Sequence, residues 1–342
     1  MRDRPRSRSV LAIAFIALCA PALAIGASST LDAATSPAHI GGPIAIAVGG
    51  SHVWIANTHG NSVVELDASN GAFVREIDSQ TDELYRPDAM TLSGDHVWVA
   101  DLGDNEVTEL NTSNGSLVRV IRSETDQFFR PVAITVAGSV VLSANYDGDS
   151  VTEFNVSNGA LVRIVADTND ELFSPDAMAH NGAHVWVANA DHDEVVELNA
   201  SNGTLERVLQ DVRYGFRSPD AIAVDGNHVW VANSRANSLT EFTATSGVLN
   251  RVIHSFKDDF DGPRALTASG DDLWVVNSRG DSVTELDAAT GSLIRVIRAQ
   301  SDQFNDPTSI AVHGAHVWVA NLDGNTITEL NRVDGSLVRL IA

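Results

Sequence analysis

Three aspartates and one histidine are the side chains of this sequence best suited to chemistry. Asp88, Asp176 and Asp220 each follow a proline, and His180 lies four residues after Asp176. Carboxylate oxygens are the ligands that hard divalent cations prefer, and a nearby histidine could act as a general base. The polar segment 191–194, Asp-His-Asp-Glu, supplies His192 as a second candidate base.

A basic set follows further along the chain. Acidic and basic groups around one opening would suit a small anionic ligand, with or without a divalent cation that bridges it to the aspartates. The simpler interpretation is that loop residues of any water-exposed protein are often charged. The basic residues are Arg213, Arg217, Arg235, Arg264 and Arg279.

All of these residues belong to a repeat of 44 residues. A fixed period in this range is typical of one supersecondary unit packed against copies of itself. All six tryptophans share the period, and Leu142 takes the seventh place. The repeat begins at Pro43, Pro87, Pro131, Pro175, Pro219, Pro263 and Pro307, and the tryptophans are Trp54, Trp98, Trp186, Trp230, Trp274 and Trp318.

Each repeat carries four strand patterns. In the fifth copy we predict strand A at 221–224, strand B at 228–233, strand C at 237–242 and strand D at 248–253. β-Branched and aromatic residues fill these segments, and Gly-containing turns separate them. Seven such units predict an all-β, seven-bladed β-propeller with four antiparallel strands in each blade.

The phase of the repeat predicts how the ring closes. The last copy stops at the end of its fourth strand, so every blade is complete within one repeat and no strand is left for a swapped clasp. The small residues of strand A place it at the axis. The residues that follow each proline should then surround the mouth of the central channel, and they are Ile44, Asp88, Val132, Asp176, Asp220, Arg264 and Thr308.

Residues that recur in the copies are expected to build the scaffold. Strand C carries a glutamate and strand D an arginine in all seven copies, as in Glu241 and Arg251. We interpret each pair as an exposed cross-strand ion pair, worth about 0–1 kcal/mol. The histidine that begins strand B in five copies and the tryptophans are also assigned to structure.

The N-terminal region has a different composition. Residues 1–27 combine arginines, an apolar segment and small residues before a cleavage site, which predicts a secretory signal peptide, with an uncleaved membrane anchor as the alternative. Residues 28–42 are expected to form a flexible tether before the propeller at 43–342. The only cysteine, Cys19, would leave with the signal peptide.

Charge limits the choice of partners. The formal net charge is −23 at pH 7, which disfavours nucleic acids and anionic lipid surfaces. We therefore expect a secreted or periplasmic protein that does not bind the membrane after cleavage and is a monomer. Its partner would be a protein or a small anionic ligand.

The repeat unit at 307–330, with His-Val-Trp-Val-Ala-Asn in strand B, resembles the NHL and YVTN classes of propeller repeat. Those classes contain binding proteins as well as streptogramin B lyases and lactonases of the gluconolactonase type. The lyase resemblance would imply Mg²⁺, a catalytic histidine and a carboxylate, but no motif here matches theirs.

Two functions remain open at this stage. The regularity of the copies favours a non-enzymatic scaffold that binds a ligand or a protein through one face, which is formed by the variable D–A linkers and B–C loops. The alternative is a metal-assisted lyase or hydrolase at the channel mouth. The sequence shows no cofactor motif. The only bound group that we expect is a divalent cation in the central channel, held by Asp88, Asp176 and Asp220. Ligand-binding candidates at the mouth are Asp88, Asp176, Asp220, Arg264, Thr308, His180, Arg235 and Arg279.

Overall fold

The computed structural model describes residues 40–78, 84–122, 128–166, 172–254, 260–298 and 304–342. The expected signal peptide at 1–27 lies outside the described residues, as does most of the expected tether. The described part contains seven four-stranded antiparallel sheets, each formed by consecutive strands A, B, C and D of one repeat. This confirms the seven-bladed β-propeller, with blades in phase with the repeat and no strand exchanged between them.

In the fifth blade strand B has the predicted bounds, whereas strand A begins at the repeat proline, Pro219, two residues earlier than predicted. Strand A comprises Pro43–Gly49 (β1), Pro87–Ser93 (β5), Pro131–Ala137 (β9), Pro175–His180 (β13), Pro219–Asp225 (β17), Pro263–Ser269 (β21) and Pro307–His313 (β25). Strand B comprises His52–Asn57 (β2), His96–Asp101 (β6), Val140–Asn145 (β10), His184–Asn189 (β14), His228–Asn233 (β18), Asp272–Asn277 (β22) and His316–Asn321 (β26).

The two outer strands complete each sheet. Strand C comprises Ser62–Asp67 (β3), Glu106–Asn111 (β7), Ser150–Asn155 (β11), Glu194–Asn199 (β15), Ser238–Thr243 (β19), Ser282–Asp287 (β23) and Thr326–Asn331 (β27). Strand D comprises Phe73–Asp78 (β4), Leu117–Arg122 (β8), Leu161–Ala166 (β12), Leu205–Leu209 (β16), Leu249–His254 (β20), Leu293–Arg298 (β24) and Leu337–Ile341 (β28). A short 3-10 helix, Val212–Tyr214, precedes the fifth blade.

In the fifth blade, strands C and D begin one residue later than predicted. Asn237 has φ of 50° and Gly247 has φ of 67°, so both belong to the turns that precede the strands. The left-handed region is open to glycine and, among other residues, mainly to asparagine and aspartate.

Apolar residues pack between neighbouring blades. Trp186 of the fourth blade packs with Val229 and Phe242 of the fifth, and Trp318 of the seventh packs with Ile46 of the first. All six tryptophans are almost fully buried, as the sequence predicts. The first and seventh blades therefore meet through side-by-side packing, in the same way as the other pairs.

The packed part of the chain begins at Ile40, three residues before the first predicted blade. Ile40 is 5% exposed and joins the cluster that contains Trp318. Apolar residues occupy the same place in the other repeats: Leu84, Phe128, Leu172, Phe216, Phe260 and Phe304. The last three residues of the expected tether, 40–42, thus belong to the propeller and anchor the incoming chain.

A side-chain hydrogen bond joins each blade to the next on the face of the B–C loops. The last loop residue is an Asn or Asp with positive φ, and its Oδ1 accepts from a backbone N–H 25 residues ahead, as between Asn105 and Arg130 at 2.7 Å. Asn325 closes the ring by accepting from the N–H of Gly42 at 2.8 Å. The acceptors are Asn61, Asn105, Asp149, Asp193, Asn237, Asp281 and Asn325.

The recurring glutamates and arginines form the expected ion pairs. The glutamates are buried, however, so the prediction of exposed pairs is wrong. Glu241 is fully buried, and its carboxylate contacts Arg251 Nε at 2.6 Å and His228 Nδ1 at 2.6 Å. Strand C lies between strands B and D, so its glutamate is covered on both sides. Loss of one partner from a buried pair costs about 3–5 kcal/mol, well above the value for an exposed pair.

The same arginines also connect neighbouring blades. The Arg251 guanidinium donates to the backbone carbonyl of Ala289 in the next blade at 2.9 Å. Arg339 makes the closing contact, with the carbonyl of Ser69 in the first blade at 3.5 Å. The remaining donors are Arg75, Arg119, Arg163, Arg207 and Arg295.

Candidate functional site

A β-bulge directs the residue after each repeat proline toward the propeller axis. In the fourth blade Pro175 pairs with Asn189 and Ala177 with Ala188, so Asp176 has no cross-strand partner. Bulges re-aim a side chain and often lie beside functional sites. The same register shift occurs at the start of strand A in the other six blades.

The seven bulge residues line one cavity at the axis, which we call the mouth cavity. Its volume is about 350 Å³, and Asp191 and Arg235 of the B–C loops also face it. Four carboxylates and two guanidinium groups therefore line the described walls. The lining residues are Ile44, Asp88, Val132, Tyr146, Asp176, Ala190, Asp191, Ser218, Asp220, Arg235, Arg264 and Thr308.

The negative charge of the carboxylates in this cavity is only partly balanced by nearby arginines. The pKa of Asp176 is raised to about 7, mainly by burial and also by the Asp220 and Asp88 carboxylates, while Arg264 opposes the rise. Burial raises the pKa of Asp88 to about 6, again against Arg264. The Ser218 hydroxyl donates to Asp220 Oδ1 at 2.8 Å. Near neutral pH, Asp176 is about half-protonated and Asp88 is mostly ionised, and an entering cation would favour the ionised form of both carboxyl groups.

The predicted arginines do not share one environment. Arg235 and Arg264 line the mouth cavity and are exposed to solvent. Arg279 lies outside it, because its guanidinium donates to the Ser234 carbonyl and to Asn237 Oδ1, both at 2.8 Å. Arg213, a further member of the basic set, pairs with Asp211 at 2.8 Å on an exposed segment.

The two candidate histidines are not brought together with the aspartates. His180 lies at the far end of β13, about 13 Å beyond Asp176 for four residues of extended strand. It does not line the mouth cavity, and burial lowers its pKa. His192 stacks on Phe173, with ring centroids 4.0 Å apart and planes 3° apart.

A different group has the spacing of metal ligands. His184, Glu197 and Glu206 bring one ligand atom each within 4.8 Å of one another. His184 Nδ1 contacts Glu206 at 2.6 Å and Glu197 at 2.9 Å. Glu206 occupies the extra position of the bulge between β15 and β16, where most copies carry valine. Among the described residues, Asp88, Asp176 and Asp220 do not form such a group.

One buried aspartate interrupts a ring of asparagines. Strand B ends in asparagine in six blades. In five of them the amide donates to hydroxyls of strand C, as Asn277 does to Thr284 at 2.9 Å, and in the fourth blade Asn189 donates to Glu194 Oε1 at 2.9 Å. In the second blade Asp101 accepts from Thr108 at 2.7 Å, and Glu106 faces it across the strands. Burial raises the pKa of Asp101 well above its ordinary value.

No helix in the part of the chain that the structure describes is long and apolar enough to cross a membrane.

These features define a repeat-built, seven-bladed β-propeller with one charged cavity at the open end of its channel. The chain belongs to the family described as outer membrane protein assembly factor BamB, whose model matches residues 27–247. No curated protein matches the chain. The narrower assignment to NHL or YVTN repeats stays a prediction.

Solved structures show the same fold at low sequence identity. Virginiamycin B lyase from Staphylococcus aureus is 18% identical, with a TM-score of 0.71 over 84% of this chain and 93% of that chain. Hydrazine synthase from Kuenenia stuttgartiensis is 14% identical, with a TM-score of 0.70 over 87% of this chain and 97% of that chain. At such identities the likeness concerns the fold alone.

Proposed function

We propose that this chain is an exported, non-catalytic scaffold that holds a partner protein at the face formed by the D–A linkers and B–C loops. The observation that carries this proposal is the mouth cavity. Seven bulge residues meet there, one from each blade, and they differ in charge and size although the surrounding strands are nearly identical. Variable residues on a rigid frame are the usual place of recognition.

The family supports a protein partner and a location outside the cytoplasm. Its description as an outer membrane protein assembly factor concerns work at the cell envelope, and the N-terminal pattern at 1–27 predicts export. A propeller whose neighbouring blades are joined by recurring hydrogen bonds, as from Asn105 and Arg251, is also suited to rigid presentation of loops.

The charge of the mouth cavity refines the expected ligand. Four carboxylates against two guanidinium groups favour a cationic group over the anionic ligand that the basic residues alone suggest. Arg279, one of those basic residues, is already engaged by Ser234, Asn237 and Asp261. We therefore propose that the mouth receives a basic side chain of the partner.

Metal-assisted lysis or hydrolysis is the weaker candidate. The mouth aspartates would need a base beside them, and His180 lies deeper along the channel while His192 stacks on Phe173. Incubation of the purified protein with a streptogramin B and Mg²⁺ is expected to give no turnover. Turnover that disappears in Asp176→Asn would replace the scaffold proposal with the enzymatic one.

The main test compares two faces of the propeller. Partner proteins would be captured from envelope extract of the source organism, and their recovery measured by quantitative mass spectrometry. A mouth triple, Asp88→Asn with Asp176→Asn and Asp220→Asn, should lower the recovery of specific partners at least ten-fold. The matched triple in the exposed A–B turns, Asp95→Asn with Asp225→Asn and Asp271→Asn, removes the same charge from the opposite face and should change little.

Equal recovery with the two triples would contradict the proposal, because charge at the mouth would then have no special role. Urea unfolding of both proteins serves as the control for folding.

A further inference from the structure

An exposed aromatic surface lies beside the mouth cavity, on three consecutive blades. Tyr85 is 47% exposed, Phe129 is 51% exposed and Phe173 is 36% exposed. They occupy the same place in the second, third and fourth repeats, two residues before the proline. We call these three residues the aromatic arc.

The other four blades carry small or polar residues at this place: Gly41, Arg217, Asp261 and Asn305. The loop face is therefore divided into an aromatic side and a polar side. Exposed large aromatic rings are unfavourable in water, and their concentration on one side of a binding face indicates a contact surface.

Each ring of the arc is supported by the B–C loop of its own blade. A side chain at Gly103 would collide with the Tyr85 ring, and the Cβ of Phe129 lies against Gly148. Phe173 stacks on His192 in parallel planes. The Tyr85 and Phe173 rings thus rest on backbone or on another ring, which lowers the entropy lost when a partner covers them.

A continuous chain of contacts connects the arc to the mouth cavity. His192, which supports Phe173, is adjacent to Asp191 of the cavity wall, and Asp191 accepts from the Tyr146 hydroxyl at 3.0 Å. The Arg130 guanidinium lies over the Tyr146 ring, 4.6 Å from its centroid, and contacts Asp147 at 3.4 Å. The Arg130 guanidinium is therefore already engaged.

From this arrangement we infer that the loop face binds a partner segment in which a lysine or arginine lies among apolar side chains. The basic group would enter the mouth cavity between Asp88, Asp176 and Asp220, and the apolar side chains would cover the aromatic arc. Charge complementarity selects this occupant, because the cavity lining holds twice as many carboxylates as guanidinium groups. The inference rests on the proposed function and specifies the partner that the site recognises.

The test uses a fluorescent pentapeptide with one arginine between two phenylalanines and glycine at both ends, measured by anisotropy against the full chain. Substitution of glutamate for the arginine of the peptide should weaken binding at least ten-fold. Raising the salt from 0.05 M to 0.5 M should also weaken it, since attraction between exposed charges is screened.

Protein variants locate the contact. Phe129→Ser with Phe173→Ser should weaken peptide binding at least five-fold. The matched control, Val248→Ser with Val333→Ser, removes two exposed apolar side chains from the C–D turns of the opposite face and should bind as the unmodified chain does. All four positions are exposed, so each protein should keep its Tm.

Three results would overturn the inference. Equal binding by the Phe129→Ser/Phe173→Ser protein would remove the arc from the site. Equal binding of the glutamate peptide would remove the basic group. Binding of N-acetylarginine amide as tight as that of the peptide would mean a small-cation site without a partner segment.

The outcome also separates this inference from the proposed function. If no peptide binds but capture of partners still depends on Asp88, Asp176 and Asp220, the scaffold proposal stands and the basic, apolar segment is wrong. If capture also fails to depend on them, the scaffold proposal falls as well.

Discussion

Buried charge is arranged in opposite ways in the blade sheets and at the channel mouth. In the sheets, each of the seven recurring strand C glutamates contacts an arginine, and five of them also contact a histidine, as Glu65 does with Arg75 and His52. At the mouth, Asp176 has the carboxylates of Asp220 and Asp88 among its strongest electrostatic neighbours. Opposite charges thus meet in the seven glutamate–arginine pairs, whereas like charges meet at the mouth and, within the sheets, at Asp101 and Glu106.

The difference indicates that the mouth positions are not selected for stability. A group of like charges is unfavourable until a ligand of opposite charge enters, and binding sites commonly retain such a cost. All seven repeats carry the same glutamate and arginine, whereas the residue after the proline varies among them. Recognition is thus expected at the positions where the scaffold tolerates an electrostatic penalty.

The largest effect should come from breaking a pair in the sheets. Arg295 contacts Glu285 at 2.7 Å in a blade whose strand B begins with Asp272 in place of histidine. Arg295→Ala should lower the free energy of unfolding by about 3 kcal/mol, the lower end for a broken buried pair, because burial already raises the pKa of Glu285 to about 7 and part of the lost contact is relieved by protonation. Urea denaturation at pH 7 measures this change.

Two further variants make this result specific. Arg235→Ala, at the exposed edge of the mouth cavity, should change stability by less than about 0.5 kcal/mol. Adding Glu285→Gln to Arg295→Ala should recover part of the loss, because no buried charge then remains. A urea midpoint unchanged by Arg295→Ala would mean that Glu285 is not held by this pair.

At the mouth the sign should reverse. The pKa of Asp176 is raised from its ordinary 3.8 to about 7, so its contribution to stability is lost as the pH rises between these values. Asp176→Asn should therefore stabilise the chain at pH 8 by about 2 kcal/mol, after allowance for solvent screening, and should leave stability at pH 3.5 nearly unchanged. Unfolding measured as a function of pH checks the prediction.

Asp101→Asn is the matched control for this change. This substitution also removes a carboxyl group whose pKa is raised, but inside the second blade and away from the cavity. It restores the asparagine that the other copies carry. Both variants should gain stability at pH 8, and only Asp176→Asn should weaken peptide binding. Loss of binding in both would show that binding follows stability and not charge at the mouth.

The smallest effect should come from the ring closure. Asn325→Ala removes the hydrogen bond to the Gly42 N–H and places alanine at φ of 49°, which should cost about 1–2 kcal/mol. Asn105→Ala makes the same change between the second and third blades, which the chain also joins covalently. Hydrogen exchange should show faster opening of β1 and β25 in Asn325→Ala alone, and equal exchange in both variants would contradict a special closure.

The fold was accessible from the sequence because the repeat samples each position seven times. Pro219 and Trp230 fix the phase of strands A and B in the fifth blade. Strand B there has the predicted bounds, and those of strand A differ from the prediction by one to two residues. The residues of the mouth were also predicted together, since each follows a repeat proline. The β-bulge that holds them there was not predicted, because nothing in the sequence distinguishes a bulge residue from the next residue of a regular strand.

Some residues were missed although they keep the period. Ile40 has equivalents in every repeat, but the conserved proline three residues later is the more conspicuous start. Asn325 and its equivalents also recur, yet their partners lie 25 residues ahead in the next blade. The aromatic arc repeats only three times, so a search for common features passes over it.

By itself, the sequence determined the number of blades, their four strands, the phase of the ring and the tryptophan core, because alternation and turn residues act over a few neighbouring positions. The tertiary structure decided which charges meet. Contacts between blades, such as Arg251 with the Ala289 carbonyl, depend on how closely neighbouring sheets approach. The same holds for the mouth, where Asp88, Asp176 and Asp220 become one cavity only because the ring brings distant repeats to a common axis.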